Sequence, residues 1–257
     1  KAVLPCRIVA PHRFYRSYWA YSNQIAEYDS RMTTPVLIAT LLLSQVGLER
    51  TGPEGKMGMT DRQILALGQQ GFVDKYSVKF GSSTADMVDA FEIYADSVKR
   101  LNDQVFAKQP AATRKVVGTL RVRLANIRNE MCDVGRALSG GGTMWHITYS
   151  ETRSDVEEAL AVKSGVIKKA PPRRVVSDVT KALDQLAKDT RANREEVESM
   201  KESGGGMNEI ESSIKLARKE YAEIVKIAAK LPRRESDAIL EFCVAAVLVA
   251  GEQIVEE

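Results

Sequence analysis

Along most of the chain, apolar side chains recur every three or four positions, the period of an α-helix. After Thr84, read as an N-cap, Met87, Phe91, Tyr94, Val98, Leu101 and Val105 form one such stripe, and Pro110 closes it. A second helix is predicted over 111–138, with Val117, Leu120, Leu124, Ile127 and Met131 on one face. Arg114, Arg121 and Arg128 line the edge of that face at seven-residue steps.

The C-terminal third repeats the pattern twice. Val176, Val179, Leu183, Leu186, Thr190, Asn193, Val197 and Met200 make one seam, with Thr190 and Asn193 as polar members. Glycines 204–206 interrupt, and Asn208 with Glu211 reads as a capping pair. Ile210, Ile214, Ala217, Tyr221, Ile224, Ala228 and Leu231 then resume the same steps. Two arms joined by a glycine turn predict an antiparallel helical hairpin. Beyond Pro232, residues 238–250 are apolar on nearly all sides, as in a buried helix.

Shorter signals fill the rest. Thr34–Pro35 marks a helix start running to about Gly47. Thr60 with Gln63 is a capping box for a short helix that Gly71 should close. Met144–Tyr149 is aromatic and β-branched, the best strand candidate. Ser154 with Glu157 then predicts a short helix ending near Gly165, and 170–174 a stiff Pro-rich basic linker.

The prediction is therefore a mainly α protein: a helical core plus a long antiparallel helical hairpin, with an extended N-terminal arm and at most one short strand region. The expected segments are an arm over 1–32, a core over 33–142, a strand, short helix and linker over 143–174, and the hairpin with its closing apolar helix over 175–257.

Charge alters this picture at the N-terminus. Residues 1–26 contain no Asp or Glu, and their cations alternate with aromatics. Such a segment normally lies on something else: a partner protein, a nucleic acid or the rest of its own fold. Arg7, Arg13, Phe14, Tyr15, Arg16, Tyr18, Trp19 and Tyr21 are its candidate partner-docking residues. The chain's net charge is +3, and the excess is uneven. Residues 1–150 carry six more basic than acidic side chains; residues 151–257 carry three fewer. The stretch 99–128 holds eight Lys or Arg against one acid, Asp103.

Chemistry is hard to place on this sequence. Ser139–Thr143 is Gly-rich, but it lacks the lysine and following helix of a phosphate loop. Cys132 and His146 have no evident third member for a nucleophilic site. Two histidines exclude a His-rich metal site, and three scattered cysteines without a CxxC argue against a disulfide framework and for a reducing compartment. The apolar runs 36–43 and 242–250 are too short to span a bilayer.

The expectation is a non-enzymatic structural or accessory subunit of a large multiprotein assembly. It needs no cofactor, docks on other protein subunits through the arm and seams, and sits inside an organelle, with the mitochondrial matrix suggested by the basic, acid-free start. An RNA-binding protein, as a ribonucleoprotein component or viral nucleoprotein, is the alternative. There Arg114, Lys115, Arg121, Arg123 and Arg128 would contact RNA or an acidic partner. A helical protein acting peripherally on membranes is the third expectation. The pattern leaves homo-oligomerisation open.

Overall fold

A computed structural model describes residues 57–138, 144–199 and 206–251, which form eight helices and no strand. They are α1 (Asp61–Phe80), α2 (Thr84–Phe106), α3 (Ala111–Leu138), α4 (Met144–Ser164), α5 (Val176–Ala192), α6 (Arg194–Ser199), α7 (Met207–Ala228) and α8 (Arg233–Gly251). The mainly α prediction holds. The N-terminal arm, the helix expected after Thr34 and the glycine-rich stretch 139–143 fall outside the described residues.

Local signals set several boundaries. The Thr60–Gln63 capping box forms as expected. Gly71 does not end that helix: the chain kinks at Gly68, where φ is 72°, and continues to Phe80. Glycine takes that positive φ without steric cost, so the break falls there rather than at Gly71. The cap of α2 is Ser83, one residue before the expected Thr84, in a reciprocal box with Asp86.

The strand expected at Met144–Tyr149 is absent. That segment and the expected short helix are one 21-residue helix, α4. Its pattern misleads because α4 is buried on two sides. Ile147 and Ala161 join a cluster with Phe72, Phe91 and Tyr94 of α1 and α2. Val156, Ala159 and Leu160 join a larger cluster with α3, α5, α7 and α8. A helix between two cores has no single apolar stripe. Its buried hydroxyls bond back to the preceding turn: Thr152 Oγ1 donates to the Thr148 carbonyl at 2.7 Å, and Ser154 Oγ to that of Glu151 at 2.8 Å. Ser154 is therefore interior to α4 rather than a cap. Gly165, at φ 74°, ends the helix near the expected place.

The two C-terminal arms contact one another, but α7 packs more broadly on α3, and α5 on α8. Most of the seam is buried: Val179, Leu183, Leu186 and Thr190 in α5, and Ile210, Ile214, Ala217, Tyr221, Ile224 and Ala228 in α7. Val176, at the first turn of α5, is 46% exposed instead, Asn193 and Leu231 are half-buried, and the side chains of Val197 and Met200 fall outside the described residues. The first arm stops at Asn193 rather than running on as one helix, and α6 follows. The second arm is capped by Gly206, not by the expected Asn208–Glu211 pair. Thr190, a polar seam residue, satisfies its hydroxyl on the Leu186 carbonyl at 2.8 Å. The closing helix α8 is buried from Ala238 to Ala250 on most sides, as its composition requires.

Helix directions matter for the surface. Paired contacts set the directions: Arg114 reaches Ala107 and Arg121 reaches Asp103, Arg121 pairs with Glu157 and Cys132 with Thr152, and Val116 lies with Lys230 while Arg123 meets Glu220, so α3 is antiparallel to α2, α4 and α7. Lys163 pairs with Glu235, so α8 starts where α4 ends. One end of the bundle thus gathers the α2–α3 turn, the end of α4 with its linker, and the α7–α8 turn.

Candidate functional site

The five basic residues predicted along α3 do not form one patch. Arg121 is engaged internally: its Nη2 donates to Asp103 Oδ1 and to Glu157 Oε2, both at 2.9 Å. Those two carboxylates hold its guanidinium above its ordinary pKa, against the desolvation of its site. Arg123 pairs with Glu220 at 2.8 Å across to α7. Arg128 is half-buried and donates to Asn129 Oδ1, and burial lowers its pKa. Only Arg114 and Lys115 stand exposed, on the first turns of α3.

The polar α3–α4 interface offers no activated nucleophile. The Cys132 thiol is buried, 3.5 Å from Thr152 Oγ1, and burial pushes its pKa up, which favours the unreactive thiol. His146 is exposed on α4, away from the buried Trp145 and Ile147. Asp155 sits in this interface with Glu151, Glu158 and Arg128 around it. Burial first, then Glu158 and Glu151, push its carboxyl up to about 7, with Arg128 opposing. Among the described residues, no group of three His, Cys, Asp or Glu is placed to hold a metal ion. No described helix is long and apolar enough to cross a membrane.

What the surface does offer is a shallow groove between α3 and α7. Each helix has a second stripe beside its buried one. On α3 it runs through Lys115, Val116, Thr119, Val122, Arg123 and Asn126; on α7, through Glu220, Glu223 and Ile227, continued by Lys230 and Leu231 of the following turn. Val116 and Val122 are 37% and 60% exposed, and Leu216, one turn before Glu220 on α7, is 45% exposed. Gly118 keeps the floor open, with no atom within 4 Å of where a Cβ would stand. Lysines 215, 219, 226 and 230 follow one edge of α7 and are all exposed. Glu223, which faces them, is held by Lys226 at 2.5 Å, and this bond lowers its pKa.

A second feature lies where this groove meets the end of the bundle. Arg234 Nη2 donates to the carbonyls of Ile167 and Lys169, at 2.8 and 3.3 Å. Arg174 bonds to Asp237 through its backbone and to Glu241 through its guanidinium. The basic linker is thereby fastened to the start of α8. The linker cations Lys168, Lys169 and Arg173 are held at the end of the bundle that carries Lys230 and Arg233, which is also the end of Lys108, Arg114 and Lys115. All eight side chains are exposed.

The sequence reading missed both features. The groove residues occupy the solvent side of helices whose buried stripe already explained their period, and the only available signal was an apolar residue such as Val122 or Leu216 outside the stripe. The basic end joins segments far apart in sequence, which no local pattern reveals. The predicted arm residues Arg7 to Tyr21 fall outside the described residues.

No known protein family, curated protein or solved structure matches the chain.

Proposed function

We propose that the protein is a non-enzymatic structural or accessory subunit that docks into a larger assembly through the α3–α7 groove. The observation that carries this reading is the second, exposed stripe on two adjacent helices. Val116, Val122 and the half-buried Ile227 and Leu231 offer aliphatic surface, exposed Leu216 lies one turn beyond Glu220, and the α7 lysines supply one charged wall. A groove between two antiparallel helices accepts a third helix with its own apolar stripe, the helix-in-groove mode. The lysine wall favours a partner helix flanked by Asp or Glu. From residue 116 to residue 126 the α3 stripe is about 15 Å long, enough for roughly three turns of partner. Contact of that size gives modest affinity by itself, so the assembly would add other contacts, among them those expected of the basic aromatic arm.

The test is binding of an acidic amphipathic helical peptide of about 14 residues to the full chain, beside an otherwise identical lysine-flanked peptide. The acidic peptide should bind at micromolar Kd, and Lys226→Glu with Lys230→Glu should weaken it at least tenfold. Equal binding of both peptides, or no effect of the reversal, would remove the groove as the docking site.

A further inference from the structure

We infer that the basic end of the bundle is a second interaction surface, one that takes the phosphodiester backbone of double-stranded nucleic acid. The observation is a convergence that the fold creates. Lys108 and Arg114 come from the α2–α3 turn, and Lys168, Lys169 and Arg173 from the linker after α4. Lys115, Lys230 and Arg233 complete the set. Nearby acids already have partners: Asp103 holds Lys99 and Arg121, Glu235 holds Lys163, and Asp237 accepts from the Arg174 backbone. Of the eight cations, only Arg233 approaches a carboxylate among the described residues, Asp237 at 3.8 Å.

A solubility pattern does not account for their placement. Cations suit helix C-termini, where the macrodipole is negative, and this explains Lys230. It does not explain Arg114, Lys115 and Arg233, which occupy the first turns of α3 and α8. There the dipole is positive, and α3 has no acid in its first turn. Like charges gathered at helix N-termini repel one another and the helix ends, and an external polyanion relieves both.

The chemistry of the surface selects among polyanions. Among the described residues no Trp, Tyr or Phe is exposed. Bases of a single strand would find no aromatic platform here. A bilayer would find no aromatic anchor. Phosphates presented by a duplex need neither, because shape and charge suffice. The site therefore reads no sequence.

The experiment is fluorescence anisotropy with a labelled 16-base-pair RNA duplex, the matching DNA duplex, single-stranded poly(U) and phosphatidylserine vesicles, each against the full chain at 50 and 200 mM salt. Duplexes should bind, with affinity falling at least a hundredfold between the two salt conditions. Arg114→Glu with Lys115→Glu, and Lys168→Glu with Arg173→Glu, should each weaken binding at least tenfold. Lys188→Glu, at the far end of α5, should change it less than twofold. The duplex arms also tell RNA from DNA preference. Three results would overturn the inference: no duplex binding at 50 mM salt, binding unaltered by the two reversals (which would move it to the arm), or preference for vesicles or single strands.

Discussion

Arg121 on α3 and Glu157 on α4 form an ion pair between the two helices, with Nε 2.8 Å from one carboxylate oxygen and Nη2 2.9 Å from the other. The Glu157 side chain is only 7% exposed. It also accepts from Asn102 Nδ2 at 3.1 Å, and Asn102 in turn receives the Ser164 hydroxyl at 2.9 Å. This chain of bonds ties α2, α3 and α4 together. A cation that reads in sequence as a partner contact is thus an internal clamp.

Removing one side of that clamp should cost more than removing both. Arg121→Met leaves Glu157 buried without its counter-charge and should destabilise by about 3 kcal/mol, the low end for a broken buried pair, because Arg121 is itself a quarter exposed. Arg121→Met combined with Glu157→Leu should cost less than the sum of the single changes. Urea unfolding of the four proteins gives the coupling, and strict additivity would contradict the clamp.

Gly135 faces the indole of Trp145, so closely that a Cβ there would overlap the ring. Helix propensity alone favours Gly135→Ala by about 1 kcal/mol. Overpacking against a rigid ring costs about 1–3 kcal/mol, or more where neighbours cannot yield. Overpacking should win, because Trp145 is 6% exposed and has no open side to move into. Thermal unfolding of G135A should show a lower Tm; an increase would mean that the ring repacks freely.

Asp155 gives a pH dependence with a definite sign. Its folded carboxyl is pushed up to about 7, while an unfolded Asp titrates near 3.9. Between roughly pH 4 and 7 the folded chain keeps a proton that the unfolded chain has released. This contribution to stability is therefore present in full below about pH 4 and is lost as pH rises to 7. Asp103, whose carboxyl is lowered by Lys99 and Arg121 hydrogen bonds against desolvation, acts in the opposite direction but only below about pH 4. Asp155→Asn should flatten the Tm profile between pH 5 and 7 and raise Tm at pH 8 relative to wild type. A parallel profile in the variant would place the titration elsewhere.

The α7 seam provides a direct test of packing. Ile224 and Ile214 are 0% and 4% exposed. Replacing either by Asp buries an unpaired carboxylate and should cost several kcal/mol. Lys215→Ala, on the exposed edge, should stay within about 0.5 kcal/mol of wild type. Chemical denaturation distinguishes the two classes.

These elements also show what the sequence could reveal. Helices with one buried face, α2, α3, α5 and α7, are legible because a single stripe fixes both period and orientation. Helix α4 is not, since Ile147 and Ala161 serve one core, Val156 and Leu160 serve the other, and together they blur its period. Arg114 and Lys115 are recognisable as exposed cations, yet Arg121, seven residues on, differs only through acids from α2 and α4. Pairing across helices is a tertiary fact, and no spacing rule contains it. The groove is illegible for a related reason: Val122 and Glu220 come to line one groove only after α3 and α7 pack.

The most direct test of the docking account is the native mass of the particle that contains the chain, compared between wild type and a Val122→Glu, Lys226→Glu double variant. Val122 and Lys226 are exposed, so the variant should keep its helical content and Tm. The account predicts a wild-type protein in a larger particle of fixed stoichiometry, and a folded variant running free of it. A wild-type chain that runs alone, or a variant that remains in the particle at wild-type occupancy, would contradict it.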